Sequence, residues 1–506
     1  MQLEQFPDPS EFAALTRDCN VVPVCREILA DMDTPVSILK KFYSRNEPSF
    51  LLESVEGGER WARYSFMGVS AHSHVKVFKD HVQILKGNDI RRIAHDNDPL
   101  EVIRDLVNAY IPADIKQLPR FWGGLTGYIT YEMVSFFENI PVSLPDDTPY
   151  AHFIIPDRMI IFDNMKQTLT CVAICYLDDL TEPVDPDTLY QDSVGQLDQM
   201  ISTINAPHQT DEPVSNTQPV SLTSEIAPET YMAGVEKIKH HIVEGDIFQA
   251  VYSQPFSCQG NIDPLMIYRA QRYINPSPYM FFMNFKDMVI AGSSPETMVR
   301  LENHTAILRP IAGTRPRGEN EQQDRHLADE LLNDEKERAE HVMLIDLGRN
   351  DLGRVAQAGT VQVTDTMVIE RYSHVMHLVS NIICDIKPEH DAFDLLKATF
   401  PAGTLTGAPK IRAMEIISSL EGRERRVYGG AAGYISFTGN MDLAITIRTA
   451  VMENNKLTVQ AGAGIVYDSN PQKEQEECIN KAKSVETALK LAVSNYSGGS
   501  HACSSN

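Results

Sequence analysis

The chain has 506 residues, enough for a large core or for two or three conventional domains. Its 45 basic and 69 acidic residues give a formal charge of −24, which disfavours a nucleic-acid partner because phosphate binding needs a basic surface. The start, MQLEQFPDPSEFAALTR, has no basic region followed by an apolar one, so no secretory signal is expected, and apolar runs such as 278–282 are too short to cross a bilayer. Eight cysteines are scattered along the chain. Cys171 and Cys175 would share one face of a strand in LTCVAICYL; with no second pair nearby they read as packed thiols, and a reduced, cytoplasmic protein is expected.

Residues 1–177 mix short strands and helices, with strands expected at 50–54 and 63–67 and a glycine-bearing turn at 55–60 between them. Residues 178–226 are polar, proline-bearing and poor in aromatics, as in a linker or long excursion, with a helical stretch at 189–204. The pattern sharpens over 227–492. Tyr231, Val235, Ile238 and Ile242 recur at helical spacing and Gly245 ends the run. Strands are expected at 247–256, 288–291, 360–363, 432–437, 443–452 and 457–467. Helices are expected at 320–346, 391–399, 410–420 and 472–492. Residues 493–506 read as a flexible tail. Strands with helices grouped between hairpins indicate an α+β fold.

Two acidic helices stand out. Glu337 and Glu340 in DEKERAEHVMLIDLGRND are three apart and therefore neighbours on one helix surface, and Glu474 and Glu477 in PQKEQEECINKAKSVETAL repeat the spacing. Cys478, Ala482, Val485 and Leu489 form the apolar stripe of the second helix, which puts its acids at the edge of the buried face. Each pair reads in two ways: solvated charges complementing a helix start, or carboxylates converging on Mg2+, which prefers hard oxygens. A bound cation would also reconcile an acidic protein with an anionic substrate.

The strand VQAGAGIV carries Gly462, Ala463 and Gly464 and continues as strand, so it is not a dinucleotide fingerprint. Its glycines mark close approach by a ligand or another backbone. Arg448 in AITIRTAV has apolar neighbours on both sides and needs an acceptor from the protein or from a ligand. Glu296 follows a strand in GSSPE, where an acid is either a turn residue or a general acid. His374 and His377 in RYSHVMH are three apart, without a complete metal set around them. The loop FPAGTLTGAP, with hydroxyls at Thr404 and Thr406, enters a helix whose N-terminus would favour an anion.

These segments, namely AGTRPRG, ERAEHVMLIDLGRNDLGRV, YSHVMHLVS, FPAGTLTGAPKIRAMEII, GGAAGYISFTG and QAGAGIV followed by EQEECINKA, resemble anthranilate synthase component I of the chorismate-utilising enzymes over nearly the whole chain. The resemblance implies two stacked antiparallel sheets flanked by helices. It implies conversion of chorismate and ammonia to anthranilate and pyruvate, with ammonia from glutamine through a separate amidotransferase subunit. It implies Mg2+ ligands at Glu340 and Glu477, with Glu337 and Glu474 close by. Chorismate contacts are implied at Gly313, Thr314, Tyr428, Arg448 and the backbone of Gly462, Ala463 and Gly464. Catalytic roles are implied for Glu296, His377 and Thr404. A tryptophan feedback site is implied at Glu53, Ser54, Pro278, Tyr279 and Met280, where core packing is the plain alternative. Aminodeoxychorismate synthase component I is the competing family member, but it carries a lysine where this chain has Ala312. Water-using relatives carry a lysine near Gln249. A noncatalytic tryptophan-binding subunit is the competing class, and the intact acids, His377 and Thr404 argue against it.

Overall fold

The computed structural model of the chain describes residues 1–55, 63–179, 184–207, 221–372 and 375–494. Most of the turn expected at 55–60, the polar stretch 208–220, His374 and nearly all of the tail 493–506 lie outside these residues. The architecture is α+β, as expected: strands pair antiparallel and helices flank them. Among the described residues the ladders are continuous and link 23 strands. Strand Ser49–Glu53 pairs with Tyr279–Asn284, and Gly124–Ile129 pairs with Ala431–Ser436, so the early and late parts of the chain share hydrogen-bonded sheet. Among the described residues no helix is long and apolar enough to cross a membrane.

The polar excursion contains a docked helix, Pro186–Asn205. It buries Tyr190, Leu197, Met200 and Ile204, and the Tyr190 ring meets Phe12 edge-on at 5.5 Å. Two expected elements divide. The helix over 320–346 becomes Glu321–Asn333 and Glu335–Gly353, because Asp334 turns out of the helix and its carboxylate caps Lys336 N and Glu337 N at 3.0 and 3.1 Å. The strand over 443–452 becomes Met441–Ile445 and Thr449–Glu453. A strand has only two edges, yet this stretch serves four neighbours. Its first half pairs with Thr297–Glu302 and Ala431–Ser436, its second with Met288–Ser294 and Lys456–Ile465. The switch is made at Arg448, whose φ is +50°.

One core cluster packs helices Pro228–Val243, Lys410–Glu421 and Pro471–Ser494 onto strands Gln249–Gln259 and Lys456–Ile465. The predicted stripe Cys478, Ala482, Val485 and Leu489 is buried. Beside this cluster lies a sealed ion pair, Glu421–Arg425, at 2.7 Å with side chains 3 % and 1 % exposed. Glu421 Oε1 also accepts from Ser253 N and Oγ, both at 2.8 Å. Arg425 donates to the carbonyls of Leu405 and Val251, each at 2.7 Å, and its guanidinium lies over the Tyr131 ring at 4.6 Å. The pair thus ties the helix Lys410–Glu421, the strand Gln249–Gln259 and the loop 403–405 to the N-terminal region. Glu421→Ala leaves Arg425 buried without its countercharge, so stability to urea should fall by about 3–5 kcal/mol. A loss below about 1 kcal/mol in that titration would show that the pair does not hold these elements together.

Candidate active site

Glu296 sits between strands Met288–Ser294 and Thr297–Glu302, where its own carbonyl accepts from Ile445 N at 3.0 Å. The residue is 8 % exposed, and burial pushes its pKa up to about 7, against the opposing pull of Thr404, Arg448 and Lys481. Thr404 lies in the 3-10 turn Gly403–Leu405; its hydroxyl is buried near this carboxyl and meets no partner of good hydrogen-bond geometry. Thr406, the other loop hydroxyl, is not available to a ligand: it is buried and donates to Ala402 O at 3.1 Å. Lys410, at the start of the following helix, pairs with Asp351 at 2.7 Å, so that end already has its anion inside the fold.

His377 lies on strand Val375–Asp385 opposite Thr314 of strand Ile311–Pro316. Its Nδ1 is 3.1 Å from Gly313 O and 3.0 Å from Thr314 Oγ1. A carbonyl can only accept, so Nδ1 carries the proton and Nε2 keeps its lone pair. Burial holds the imidazole below its ordinary pKa, reinforced by the charge of Arg448 and opposed by the bond to Gly313. Arg448 therefore acts electrostatically on both Glu296 and His377. Its guanidinium makes no hydrogen bond or ion pair with any described residue, and burial lowers its pKa. Its carbonyl is held by Ser293 N at 3.3 Å and Gln271 Nε2 at 3.2 Å, which fixes the arginine at the strand switch.

The glycine strand pairs with Gln249–Gln259, placing Gly462 opposite Ser253 and Gly464 opposite Val251. A Cβ on Gly462 would fall 2.7 Å from the Tyr428 hydroxyl, and one on Gly464 would fall 2.7 Å from Gln249 Nε2. These glycines make room for two side chains of the site. Ala463 turns its methyl into the core, so only its backbone is available. Gln249 Nε2 in turn donates to Glu340 Oε1 at 3.0 Å.

The two glutamate pairs are brought to the same region. Burial and the neighbouring Glu340 raise the pKa of Glu337; burial and the neighbouring Glu477 raise that of Glu474. Lys336 on the first helix acts on Glu474 of the second, so the helix starts approach one another. Frustration of this kind, acids facing acids at a partly dry site, is what a divalent cation relieves. The four carboxylates are nonetheless spread. Among the described residues the group of three His, Cys, Asp or Glu side chains with ligand atoms within 4.8 Å of one another is a different one, His241, Glu244 and Asp246. Lys481 was not singled out in the sequence, although its spacing of four from Glu477 was a signal. Its Nζ joins Glu477 Oε1 and Gly462 O, both at 2.8 Å, and it lowers the Glu296 pKa from the other side.

Glu53, Ser54, Pro278, Tyr279 and Met280 line one separate cavity of about 60 Å³, together with Arg120, Tyr434 and Asp442. Glu53 Oε1 accepts from Tyr268 OH at 2.6 Å and Arg272 Nε at 2.8 Å. The Tyr279 hydroxyl contacts Asp442 Oδ1 at 2.9 Å and Thr297 Oγ1 at 3.0 Å, one residue from Glu296.

Residues 48–487 match the family model described as chorismate binding enzyme. Anthranilate synthase component 1 of Aquifex aeolicus is 43 % identical over 95 % of this chain and 97 % of its own, and that of Pseudomonas putida is 44 % identical over 94 % and 96 %. The crystal structure of anthranilate synthase component I from Streptococcus pneumoniae superposes with a TM-score of 0.74 at 36 % identity, covering 91 % of this chain and 99 % of that one. The menaquinone-specific isochorismate synthase of Escherichia coli, at 18 % identity and a TM-score of 0.67, shares the fold.

The geometry at His377 makes a prediction independent of any substrate. By NMR, its imidazole should titrate below the ordinary 6.5, with nitrogen shifts marking Nδ1 as the protonated atom. A higher titration midpoint, or a proton on Nε2, would contradict this arrangement.

Proposed function

The chain belongs to the chorismate-binding enzymes, in the branch of anthranilate synthase component 1, and we propose that it converts chorismate and ammonia to anthranilate and pyruvate. The observation that carries this reading is Arg448: a half-buried guanidinium without a hydrogen-bond partner among the described residues, acting on an acid that titrates near 7 and on a histidine held below its ordinary pKa. A half-buried arginine without a partner among the described residues fits a substrate carboxylate, which it can grip through two hydrogen bonds.

Glu296, protonated below about 7, donates to the C4 hydroxyl of the ring as ammonia bonds to C2, so that oxygen leaves as water. Thr404, beside it, orients the carboxyl. His377 then uses its free Nε2 to take the C2 proton as the C3–O bond breaks and the ring becomes aromatic; the enolpyruvate that leaves takes up a proton at its methylene carbon and is pyruvate. Gln249, a neutral amide engaged with Glu340, offers no base to make hydroxide from water, which favours ammonia as the nucleophile. Glu340 and Glu477, with Glu337 and Glu474, would hold Mg2+. When bound there, the ion would fix the ring carboxylate and draw electron density from the conjugated system.

Tryptophan is proposed to regulate the enzyme from the cavity beside Ser54 and Pro278. The cavity is much smaller than the roughly 300 Å³ of a typical ligand site, so tryptophan would select a state in which its walls have parted. The Tyr279–Thr297 contact gives that movement a route to Glu296.

The direct test is product identification from chorismate, ammonium and Mg2+. Anthranilate and pyruvate are expected, with kcat/KM falling as pH rises through about 7 and Glu296 loses its proton. Isochorismate, aminodeoxychorismate or no turnover would refute the reading. Mg2+ should also raise the thermal midpoint of the chain. Glu340→Ala and Glu477→Ala should each abolish that rise along with turnover; a variant with an undiminished rise would remove its residue from the metal site.

For regulation, Ser54→Phe fills the cavity. The inhibitory tryptophan concentration should increase at least about tenfold while turnover stays within about twofold. Unchanged inhibition would place the regulatory site elsewhere.

A further inference from the structure

A cavity of about 310 Å³ lies between the segment 423–428 and the hairpin made by strands Thr449–Glu453 and Lys456–Ile465. Its floor is one face of that hairpin. Val451 and Thr458 stand opposite each other in the ladder, and Thr449 and Gln460 line the cavity beyond them. On the reverse face Val459, Ala461 and Ala463 are buried in the core. Alternation along the strand therefore puts Thr458, Gln460, Gly462 and Gly464 on one face. The first two line the cavity and the last two line the site, so the cavity and the site share a floor. Gln460 spans the join, because its Nε2 donates to Ser253 Oγ at 2.8 Å and Ser253 is paired with Gly462. Tyr428 is the partition: it lines the cavity, and a Cβ on Gly462 would fall 2.7 Å from its hydroxyl. Thr449 directly follows Arg448 in the chain.

The far end of the cavity is rimmed by ion pairs. Lys456 meets Glu225 at 2.7 Å, Arg426 meets Glu453 at 3.0 Å and Arg423 lies 4.0 Å from Glu225. The three cationic side chains are 34 % to 42 % exposed, so this end meets solvent and its pairs are weak. A passing carboxylate can take the place of either glutamate. Between rim and partition the lining is mostly hydroxyl and amide, from Thr446, Thr449, Thr458 and Gln460, which suits a hydrated anion better than an aromatic ring.

We propose that this cavity is the exit for pyruvate, the small 2-oxo acid product, which leaves past the Tyr428 side chain. The inference rests on the reaction proposed above. Chorismate has two carboxylates. The metal would take the one on the ring, which leaves the enolpyruvyl carboxylate for Arg448. Pyruvate is then formed beside Thr449, at the inner end of the cavity. Anthranilate keeps its carboxylate at the acidic helices, away from this end. Gly462 leaves no side chain beneath the Tyr428 hydroxyl, so the partition can turn without a clash from that strand.

The test uses the full chain with ammonium and Mg2+. Val451→Trp and Thr458→Trp each fill the cavity floor, and Val451→Ala and Thr458→Ala are the controls. In the tryptophan variants kcat should fall at least about tenfold, with KM for chorismate falling in proportion. The single-turnover rate of anthranilate formation should stay within about twofold, so that a burst equal to the enzyme concentration precedes slow turnover. The alanine variants should turn over as the parent does. Glu453→Arg, at the exposed rim, adds a cation and frees Arg426; inhibition by added pyruvate should tighten at least about fivefold, and inhibition by anthranilate should not change. This variant decides alone if the tryptophan variants do not fold. Parental kcat in both tryptophan variants would overturn the proposal, as would a single-turnover rate that falls with kcat. Unchanged pyruvate inhibition in Glu453→Arg, or tighter anthranilate inhibition instead, would overturn it equally. A parent chain that forms no anthranilate in a single turnover would count against the reaction itself, so the two failures are distinguishable.

Discussion

Arg425 is the constraint around which the site is built. Its guanidinium is sealed against Glu421, fastens the carbonyls of Leu405 and Val251 and lies over Tyr131 and Tyr428. Its own amide donates to Glu132 at 2.6 Å. One residue thus sets the distance between the loop bearing Thr404, the strand that begins at Gln249, the Tyr428 side chain and the N-terminal region. A buried ion pair is not an economical source of stability, since desolvation offsets most of its attraction. Its value here is specificity: four guanidinium N–H groups meet acceptors on Glu421, Leu405 and Val251 in one geometry.

Inside that frame the site is tuned by exclusion of water. Burial raises Glu296 toward neutrality and lowers His377, leaving an acid with its proton and a base without one at the same pH. Arg448 lies electrostatically between them and would gain most from an incoming carboxylate. The strand switch that places it is also the reason one long apolar run had to break. Its backbone is held by Ser293 and Gln271, from the side of the molecule that carries the tryptophan cavity proposed above. Ser293 Oγ also reaches Ser277 Oγ at 2.9 Å, so the residue that holds the Arg448 carbonyl is tied to the segment leading into Pro278.

The α+β class, the helices near Lys410 and Gln472 and the apolar stripe from Cys478 to Leu489 were legible because they rest on periodicity and local caps. The breaks at Asp334 and Arg448 were not. The first depends on a carboxylate turning back onto its own helix, the second on how many neighbours a strand must serve. Gly462 and Gly464 were readable as points of close approach, but not that Tyr428 and Gln249 fill the space. Glu421 and Arg425 lie in a charged run, EGRERR, with no local pattern to single them out, and only tertiary packing makes them interior. Lys481 was hidden in the same way among helix-surface lysines.

The central claim is that Arg448 is reserved for the substrate's carboxylate. Equilibrium binding of chorismate to the arrested Glu296→Gln chain, with and without Arg448→Gln, tests it most directly. The second substitution should weaken binding by about a hundredfold with the fold intact, as expected for a lost bidentate charge-assisted contact. Equal affinity in the two chains would contradict the account.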